Sequence, residues 1–205
     1  LDLDDTLWGG VIGDDGVDGL VLGAGSATGE AYEAWQRYLK ALSERGVVLA
    51  VCSKNTPEIA ETGFAHANSR LRREDFAAFE CSWNDKVQGL KRIAQDLNLS
   101  LDSFVFADDN PAECELIRRA LPEIEVVSLG PDPAELISLL EAGHWFDLQN
   151  YTAEDVNRTR AYNATRQANE IAGQATSVTD FLRDLKMVGR LYAAGEADAE
   201  RIAQL

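Results

Sequence analysis

The chain has 205 residues, enough for one moderate domain with a real core, and 35 acidic against 19 basic side chains give a net charge of −16. This balance argues against nucleic acid and anionic membranes as partners, because both repel an acidic surface. No apolar run approaches the length of a membrane span. Three scattered cysteines form no disulfide or zinc pattern, so we expect a cytoplasmic protein.

The predicted elements alternate between helices and strands. A buried strand should end near Asp2, but only Leu1 precedes it, so we expect the chain to be trimmed at its start. The glycine-rich residues 7–25 predict a long loop or a small hairpin. Further helices are predicted over 29–45, 57–65, 84–97, from Pro111 onward and over 132–141, and further strands over 47–52, 76–81, 103–107 and 124–129. This alternation predicts an α/β protein with a doubly wound, parallel sheet, whose ligands bind beyond the C-terminal ends of the strands.

The composition divides the chain into three parts. Residues 1–150 carry the alternating pattern and are predicted to form the catalytic domain. Residues 151–187 predict a helical extension with two helices. Residues 188–205 predict a short extended piece followed by the start of a helix, which we expect to open a truncated C-terminal region.

The most informative motif is Asp-Leu-Asp-Asp-Thr at residues 2–6. Side chains two apart on an extended segment point the same way, so Asp2 and Asp4 can converge on one small volume. Two carboxylates this close favour Mg²⁺, a hard cation that prefers oxygen ligands. One carboxylate can attack a phosphorus atom while the other handles the proton of the leaving group. An acidic solvent loop is the alternative interpretation.

Three further polar clusters follow predicted strands or begin predicted helices. Ser53, Lys54 and Asn55 directly follow a buried strand, where a hydroxyl and free backbone N–H groups can cradle a phosphate. Lys86 begins a helix and can balance the charge of the nucleophile and the phosphate. The third cluster contains Asp108 and Asp109 after the strand 103–107. Each cluster also has a structural interpretation when it is taken alone. The first suits a Ser-Asn turn, the second a solvated lysine, and the third a pair of helix caps.

The order of these four clusters resembles that of the haloacid-dehalogenase-like (HAD) phosphotransferases over roughly residues 1–130. The resemblance implies a Rossmannoid three-layer sandwich with a mainly parallel sheet, a minimal cap and a Mg²⁺ cofactor. It implies Asp2 as the nucleophile, Asp4 as the general acid and base, and Ser53 and Lys86 as phosphate ligands. Lys54 and Asn55 complete the predicted phosphate-binding set. The predicted metal ligands are Asp2, Asp4, Asp108 and, as an alternate ligand, Asp109.

A narrower resemblance is to the FkbH-like proteins of polyketide pathways. It is carried by residues 2–16, by Ala50–Asn55, by Arg73-Glu-Asp-Phe, by Trp83-Asn-Asp-Lys and by Asp108-Asp-Asn-Pro. It implies an enzyme that removes phosphate from D-1,3-bisphosphoglycerate and delivers a glyceryl group as a thioester to an acyl carrier protein. Carrier proteins are acidic, so we expect docking on a local basic patch, first of all Arg70, Arg72 and Arg73, or else Arg118 and Arg119.

Glyceryl transfer requires a nucleophile besides Asp2, one that accepts the acyl group. Cys52 adjoins Ser53 at the predicted mouth of the site, and a nearby Lys54 or helix N-terminus would lower its pKa. The competing interpretation is a buried thiol, because neighbours in a strand face opposite ways. Cys81 and Cys114 are interpreted as core residues.

Two alternative functions remain at this stage. The segment Asp2–Trp8 also resembles the magnesium-dependent phosphatases that have little or no cap, so a stand-alone small-molecule phosphatase is the first alternative. The second is a non-catalytic module that docks a carrier protein and retains a vestigial phosphatase site. The presence of both Asp2 and Asp4 disfavours a vestigial site.

Overall fold

The computed structural model describes residues 1–147 and residues 158, 161, 162, 164 and 165, all within one compact unit, Leu1–Thr165. The predicted helical extension over 151–187 lies outside the described residues except at those five positions. The predicted C-terminal region over 188–205 lies outside them entirely. Both expectations therefore stay predictions.

In the described part of the chain, four strands run parallel in two pairs. They are β1 (Leu49–Ser53), β2 (Phe76–Cys81), β3 (Val105–Asp108) and β4 (Glu125–Ser128). β1 pairs with β2, and β3 pairs with β4. Each strand lies within a residue or two of its predicted position, because each lies in a short, mainly apolar stretch bounded by polar or turn-forming residues.

The first residues of the chain join the two pairs into one parallel arrangement. The Leu1 nitrogen donates to the Ala50 oxygen over 2.9 Å, and the Cys52 nitrogen donates to the Leu1 oxygen over 2.8 Å. On the other side, the Asp2 nitrogen donates to the Ala107 oxygen over 3.1 Å. The order across the fold is therefore β2, β1, the first segment, β3 and β4. This order places Asp2 at the centre, between the ends of β1 and β3.

Residues 1–147 also contain six α-helices. They are α1 (Ile12–Gly19), α2 (Ala27–Glu44), α3 (Pro57–Thr62), α4 (Lys86–Leu97), α5 (Pro111–Ala120) and α6 (Leu136–Glu141). Side-chain caps begin the three longest, since Ser26, Asp85 and Asn110 each accept a backbone N–H of the following turn. The predicted helix over 132–141 is divided into a 3₁₀ turn, Pro133–Glu135, and α6.

Two apolar clusters occupy the two faces of the sheet. Val51 and Ala107 belong to a cluster that includes residues of α2 and α6. Their neighbours Cys52 and Phe106 belong to a second cluster, built with residues of α4 and α5. This alternation follows from the two-residue period of a strand. It confirms the predicted α/β fold, in which a mainly parallel sheet lies between two helical layers.

The glycine-rich segment differs from the predicted loop or hairpin. Gly9 and Val21 do exchange two backbone hydrogen bonds, of 3.1 and 2.9 Å, as an antiparallel pair. Between them, however, the chain forms α1, interrupted at Gly16 by a backbone φ of +64°. The buried side chain of Ile12 anchors this helix. The sequence did not predict α1, because its glycines disfavour an isolated helix. Tertiary contacts supply the stability that the local sequence lacks.

No helix within the described part of the chain is both long and apolar enough to cross a membrane.

Candidate active site

The four predicted clusters meet at the C-terminal edge of the strands. Asp2 lies in the first residues of the chain, between β1 and β3, while Ser53 ends β1, Lys86 begins α4 and Asp108 ends β3. All four residues are buried, with exposed fractions of 8%, 4%, 4% and 0% respectively. Parallel strands bring their carboxyl ends to one edge, which is why positions so distant in sequence converge.

Lys86 is the central cation of the site. Its Nζ lies 2.8 Å from Asp2 Oδ2 and 2.5 Å from Asp108 Oδ2. Burial works to lower the pKa of this ammonium, but the two carboxylates outweigh burial and raise it above its usual range. Lys86 is therefore held charged, and it offers a fixed positive charge beside the predicted nucleophile.

Three carboxylates form a candidate metal centre. Asp2, Asp108 and Asp109 each offer an oxygen atom, and these atoms lie within 4.8 Å of one another. Asp2 Oδ1 is buried and has no hydrogen-bond partner, which is costly unless a cation or a substrate satisfies it. Oxygen ligands of this kind fit Mg²⁺, so the residues present suit the predicted cofactor.

The pKa values of the two later aspartates are raised, although Lys86 lies beside one of them. Burial and the Asp2 carboxylate raise the pKa of Asp108, against the opposing effect of Lys86. Burial, with the charges of Asp108 and Asp2, raises the pKa of Asp109 to about 6. Thr6 orients Asp109, because its Oγ1 donates to Asp109 Oδ1 over 3.2 Å. A bound cation would favour the ionised form of each carboxylate.

Asp4 lies in a different environment from the metal cluster. Its Oδ1 accepts hydrogen bonds from Trp8 Nε1 and from the Ile12 nitrogen, each over 3.0 Å. Its Oδ2 accepts from Asn55 Nδ2 over 2.8 Å. Burial nevertheless raises the pKa of Asp4 above its usual range, against the effect of these donors. A raised pKa suits a general acid, whereas the metal-ligand role of this side chain stays a prediction.

The remaining members of the phosphate-binding set take different positions. Ser53 is buried at the end of β1, and Asn55 is engaged with Asp4. Lys54 Nζ forms an ion pair of 2.5 Å with Glu113 Oε1, from the first turn of α5. Lys54 therefore lies at the edge of the site with a carboxylate partner, and its contact with a phosphate stays a prediction.

Cys52 faces the core rather than the mouth of the site. Its side chain is buried among residues of the second apolar cluster, and its Sγ donates to the Lys86 oxygen over 3.7 Å. Burial raises the pKa of Cys52 to about 12, so at neutral pH it is a thiol and a poor nucleophile. This environment favours the interpretation as a packed thiol and gives the acyl-acceptor role no support. Cys81 and Cys114 are buried too, as expected.

The expected basic patch is engaged in contacts within the domain. Arg70 Nε donates to Glu33 Oε1 over 2.8 Å, and Arg72 donates to the Phe64 oxygen over 2.6 Å. The Arg73 guanidinium lies 4.5 Å from the centre of the Phe79 ring. These contacts hold the arginines in place, and their role in carrier docking stays a prediction.

Sequence patterns pointed only weakly to several of the residues that shape the site. Trp8 follows Asp4 by four positions, a spacing that brings side chains together in a helical turn. Thr6 stands in the aspartate motif itself, but its contact with Asp109 spans 103 positions. Glu113 carried no local signal, because its partner Lys54 is 59 positions away.

Comparison with known proteins gives one relevant structure. The chain is similar to the crystal structure of the N-terminal part of the protein BF1531 from Bacteroides fragilis, which contains a phosphatase domain complexed with Mg. The two share 36% sequence identity with a TM-score of 0.71, over 73% of this chain. The chain spans 40% of the length of that protein's chain. No family model matches, and no curated protein matches either.

Proposed function

We propose that residues 1–147 form a Mg²⁺-dependent phosphatase domain of the HAD-like type. The observation that carries this proposal is the unpartnered Asp2 Oδ1, which lies in the carboxylate cluster beside Lys86. A buried carboxylate oxygen without a donor is free to attack an electrophile. Similarity to a phosphatase domain complexed with Mg supports the same chemistry.

In this proposal Asp2 is the nucleophile. Asp2 Oδ1 attacks the phosphorus atom, the bond from phosphorus to the leaving oxygen breaks, and a phosphoryl group remains on Asp2. Lys86 holds Asp2 through its other oxygen and balances the negative charge that the phosphate brings into the site. Water then attacks the phosphorus atom and releases inorganic phosphate, which restores the carboxylate.

Asp4 handles the protons of both steps. In its acid form it gives a proton to the leaving oxygen, and as a carboxylate it then takes a proton from the attacking water. Burial raises its pKa and so favours the acid form that the first step needs. Its hydrogen bonds to Trp8, Ile12 and Asn55 keep the carboxyl group in one orientation through both steps.

Asp2, Asp108 and Asp109 are the side chains that would hold Mg²⁺. When bound, the cation supplies charge neutralisation, which lets an anionic carboxylate approach an anionic phosphate. Thr6 contributes by fixing the orientation of Asp109.

Phosphate release from acetyl phosphate and from p-nitrophenyl phosphate tests this proposal. The wild type should release phosphate with Mg²⁺ and stop when the metal is chelated. Asp2→Asn should reduce release by at least a hundredfold, because an amide cannot attack phosphorus. Asp14→Asn, an exposed aspartate on α1, is the matched control and should retain full activity. Activity of Asp2→Asn above about a tenth of wild type would contradict the assignment.

The finer proposal follows the FkbH-like resemblance. The domain would act on D-1,3-bisphosphoglycerate and deliver a glyceryl group to the phosphopantetheine thiol of an acyl carrier protein. The buried position of Cys52 supports direct transfer to the carrier thiol over transfer through a cysteine of this domain. The candidate docking surface is the one that contains Arg70, Arg72 and Arg73.

Incubation with labelled bisphosphoglycerate and a phosphopantetheinylated carrier separates the functions, with the carrier mass as the readout. A glyceryl mass on the carrier together with released phosphate supports glyceryl loading. Released phosphate with an unmodified carrier supports the stand-alone phosphatase. Carrier binding without either reaction would favour the non-catalytic docking module.

A further inference from the structure

Trp83 is the most exposed large apolar side chain in the described part of the chain. It is 74% exposed, whereas the other exposed ones, Val11, Val21, Ile59, Leu116 and Trp145, are 37–42% exposed. Two other tryptophans, Trp8 and Trp35, are fully buried. An indole that contributes so little to the core suggests a role at the surface.

The loop that carries Trp83 is anchored at both ends. On one side the Ser82 nitrogen donates to the Ser53 oxygen over 3.1 Å. On the other side Asp85 caps α4 by accepting from the Gln88 nitrogen over 2.8 Å. The ring itself leans toward the loop after β1, because its Nε1 donates to Thr56 Oγ1 over 3.4 Å. The backbone on both sides of the exposed indole is therefore anchored, and the ring has one hydrogen-bond partner on the neighbouring loop.

The loop of Trp83 adjoins the candidate active site, along the chain through Lys86 and across it through Thr56. Lys86, three residues after Trp83, contacts Asp2, and Asn55, the residue before Thr56, contacts Asp4. The indole thus bridges the two loops that carry phosphate-site residues. Since Thr56 takes its N–H group, the ring presents mainly its apolar face to an incoming molecule.

The chemistry of this face selects one kind of ligand. The indole of Trp83 carries no charge, and the nearby cation Lys86 is paired with Asp2 and Asp108, so the ring itself does not recognise an anionic group by charge. A flat or aliphatic neutral group gains contact area and dispersion energy against an indole.

We propose that Trp83 is a specificity-determining residue, which packs against a neutral apolar group of a molecule that enters the active site. This inference rests on the proposed function, which places the reacting phosphate at Asp2. The neutral group has two possible sources: the organic part of the phosphate substrate, or a separate neutral thiol that accepts the organic group.

Equilibrium binding tests the proposal without depending on turnover. Phenylphosphonate and methylphosphonate resist hydrolysis and differ in the apolar group, and pantetheine represents a neutral thiol acceptor. With Mg²⁺ present, the wild type should bind phenylphosphonate about threefold to tenfold more tightly than methylphosphonate. Trp83→Ala should remove that preference and leave methylphosphonate binding unchanged. Trp83→Phe should retain most of the preference for phenylphosphonate.

Pantetheine binding and a control variant show which molecule carries the group that packs on Trp83. If Trp83→Ala weakens pantetheine binding but spares both phosphonates, the packed group belongs to the acceptor. Trp145→Ala is the matched control, because Trp145 is also exposed but lines a cavity with Arg45 and Val47, near the opposite ends of the strands. This control should change none of the three affinities.

Several results would overturn the proposal. One is that Trp83→Ala binds all three ligands as tightly as the wild type. Another is that Trp83→Ala loses affinity equally for both phosphonates. A third is that the wild type binds neither phenylphosphonate nor pantetheine. A failure of the proposed function has a different signature. In that case the wild type releases no phosphate from any ester, yet the binding preference that depends on Trp83 persists.

Discussion

Asn55 donates a hydrogen bond from its Nδ2 to Asp4 Oδ2 over 2.8 Å, and so ties the loop after β1 to the second aspartate of the motif. Asn55 is itself buried, and the bond crosses 51 positions of sequence. A hydrogen bond to a carboxylate stabilises its charged form. Asn55 therefore opposes the effect of burial, which raises the pKa of Asp4.

Asn55→Ala should raise the pKa of Asp4 further and leave its carboxyl group less firmly oriented. We expect phosphate release to fall roughly tenfold, because one charge-assisted hydrogen bond is lost beside the reacting atoms. The pH at which Asp4 gives up its proton should move upward, and the pH profile of kcat should move with it. Asn84→Ala, in an exposed loop position, is the control and should leave the profile unchanged. A tenfold loss without any shift of the profile would contradict this role.

Lys86→Met should destabilise the metal-free domain strongly. Asp108 is fully buried, and removal of its cation leaves a buried charge without compensation. We expect a loss of about 3–5 kcal/mol in the free energy of unfolding, measured by urea titration. Lys91→Met, on the exposed face of the same helix, is the control and should cost little.

A second substitution shows whether the uncompensated charge is the cause. The double variant Lys86→Met, Asp108→Asn should recover part of the lost stability, because it removes the buried charge as well. If the double variant is as unstable as Lys86→Met alone, lost packing of the lysine chain explains the effect instead.

The alternation of strands and helices made most of this fold predictable. β1 and β3 are short apolar runs followed by polar residues, so the sheet, its parallel sense and the meeting of Asp2, Lys86 and Asp108 could all be inferred from topology. The helix α1 could not be inferred, because its stability comes from Ile12, which packs in the core while its nitrogen contacts Asp4. Local sequence reports propensity and does not report such tertiary contacts.

Asp109 should make the metal-free domain less stable as the pH rises. Its folded pKa is about 6, above the value near 4 expected in the unfolded chain, so the folded state binds more protons between these values. Stability should therefore fall from about pH 4 to about pH 6 and then level off. With allowance for the partial exposure of Asp109, the free energy of unfolding should fall by about 1–2 kcal/mol over this pH range.

Asp109→Asn should remove this part of the pH dependence and weaken Mg²⁺ binding at pH 7. Urea titrations at several pH values measure the first effect, and calorimetric metal titration measures the second. Asp102→Asn, an exposed aspartate, serves as the control for both. An unchanged metal affinity in Asp109→Asn would leave Asp2 and Asp108 as the ligands and would exclude Asp109.

Cys52→Ala should retain phosphate release within about threefold of wild type. The thiol is buried, its pKa is raised to about 12, and it faces α4 rather than the mouth of the site, so it has no access to a reacting acyl group. Iodoacetamide should therefore label Cys52 in urea but not in the native protein, as measured by peptide mass spectrometry. Cys114 is also buried, and it should likewise be labelled in urea but not in the native protein. A glyceryl adduct on Cys52 after incubation with bisphosphoglycerate, lost in Cys52→Ser, would show instead that the strand opens during turnover and that the thiol carries the acyl group.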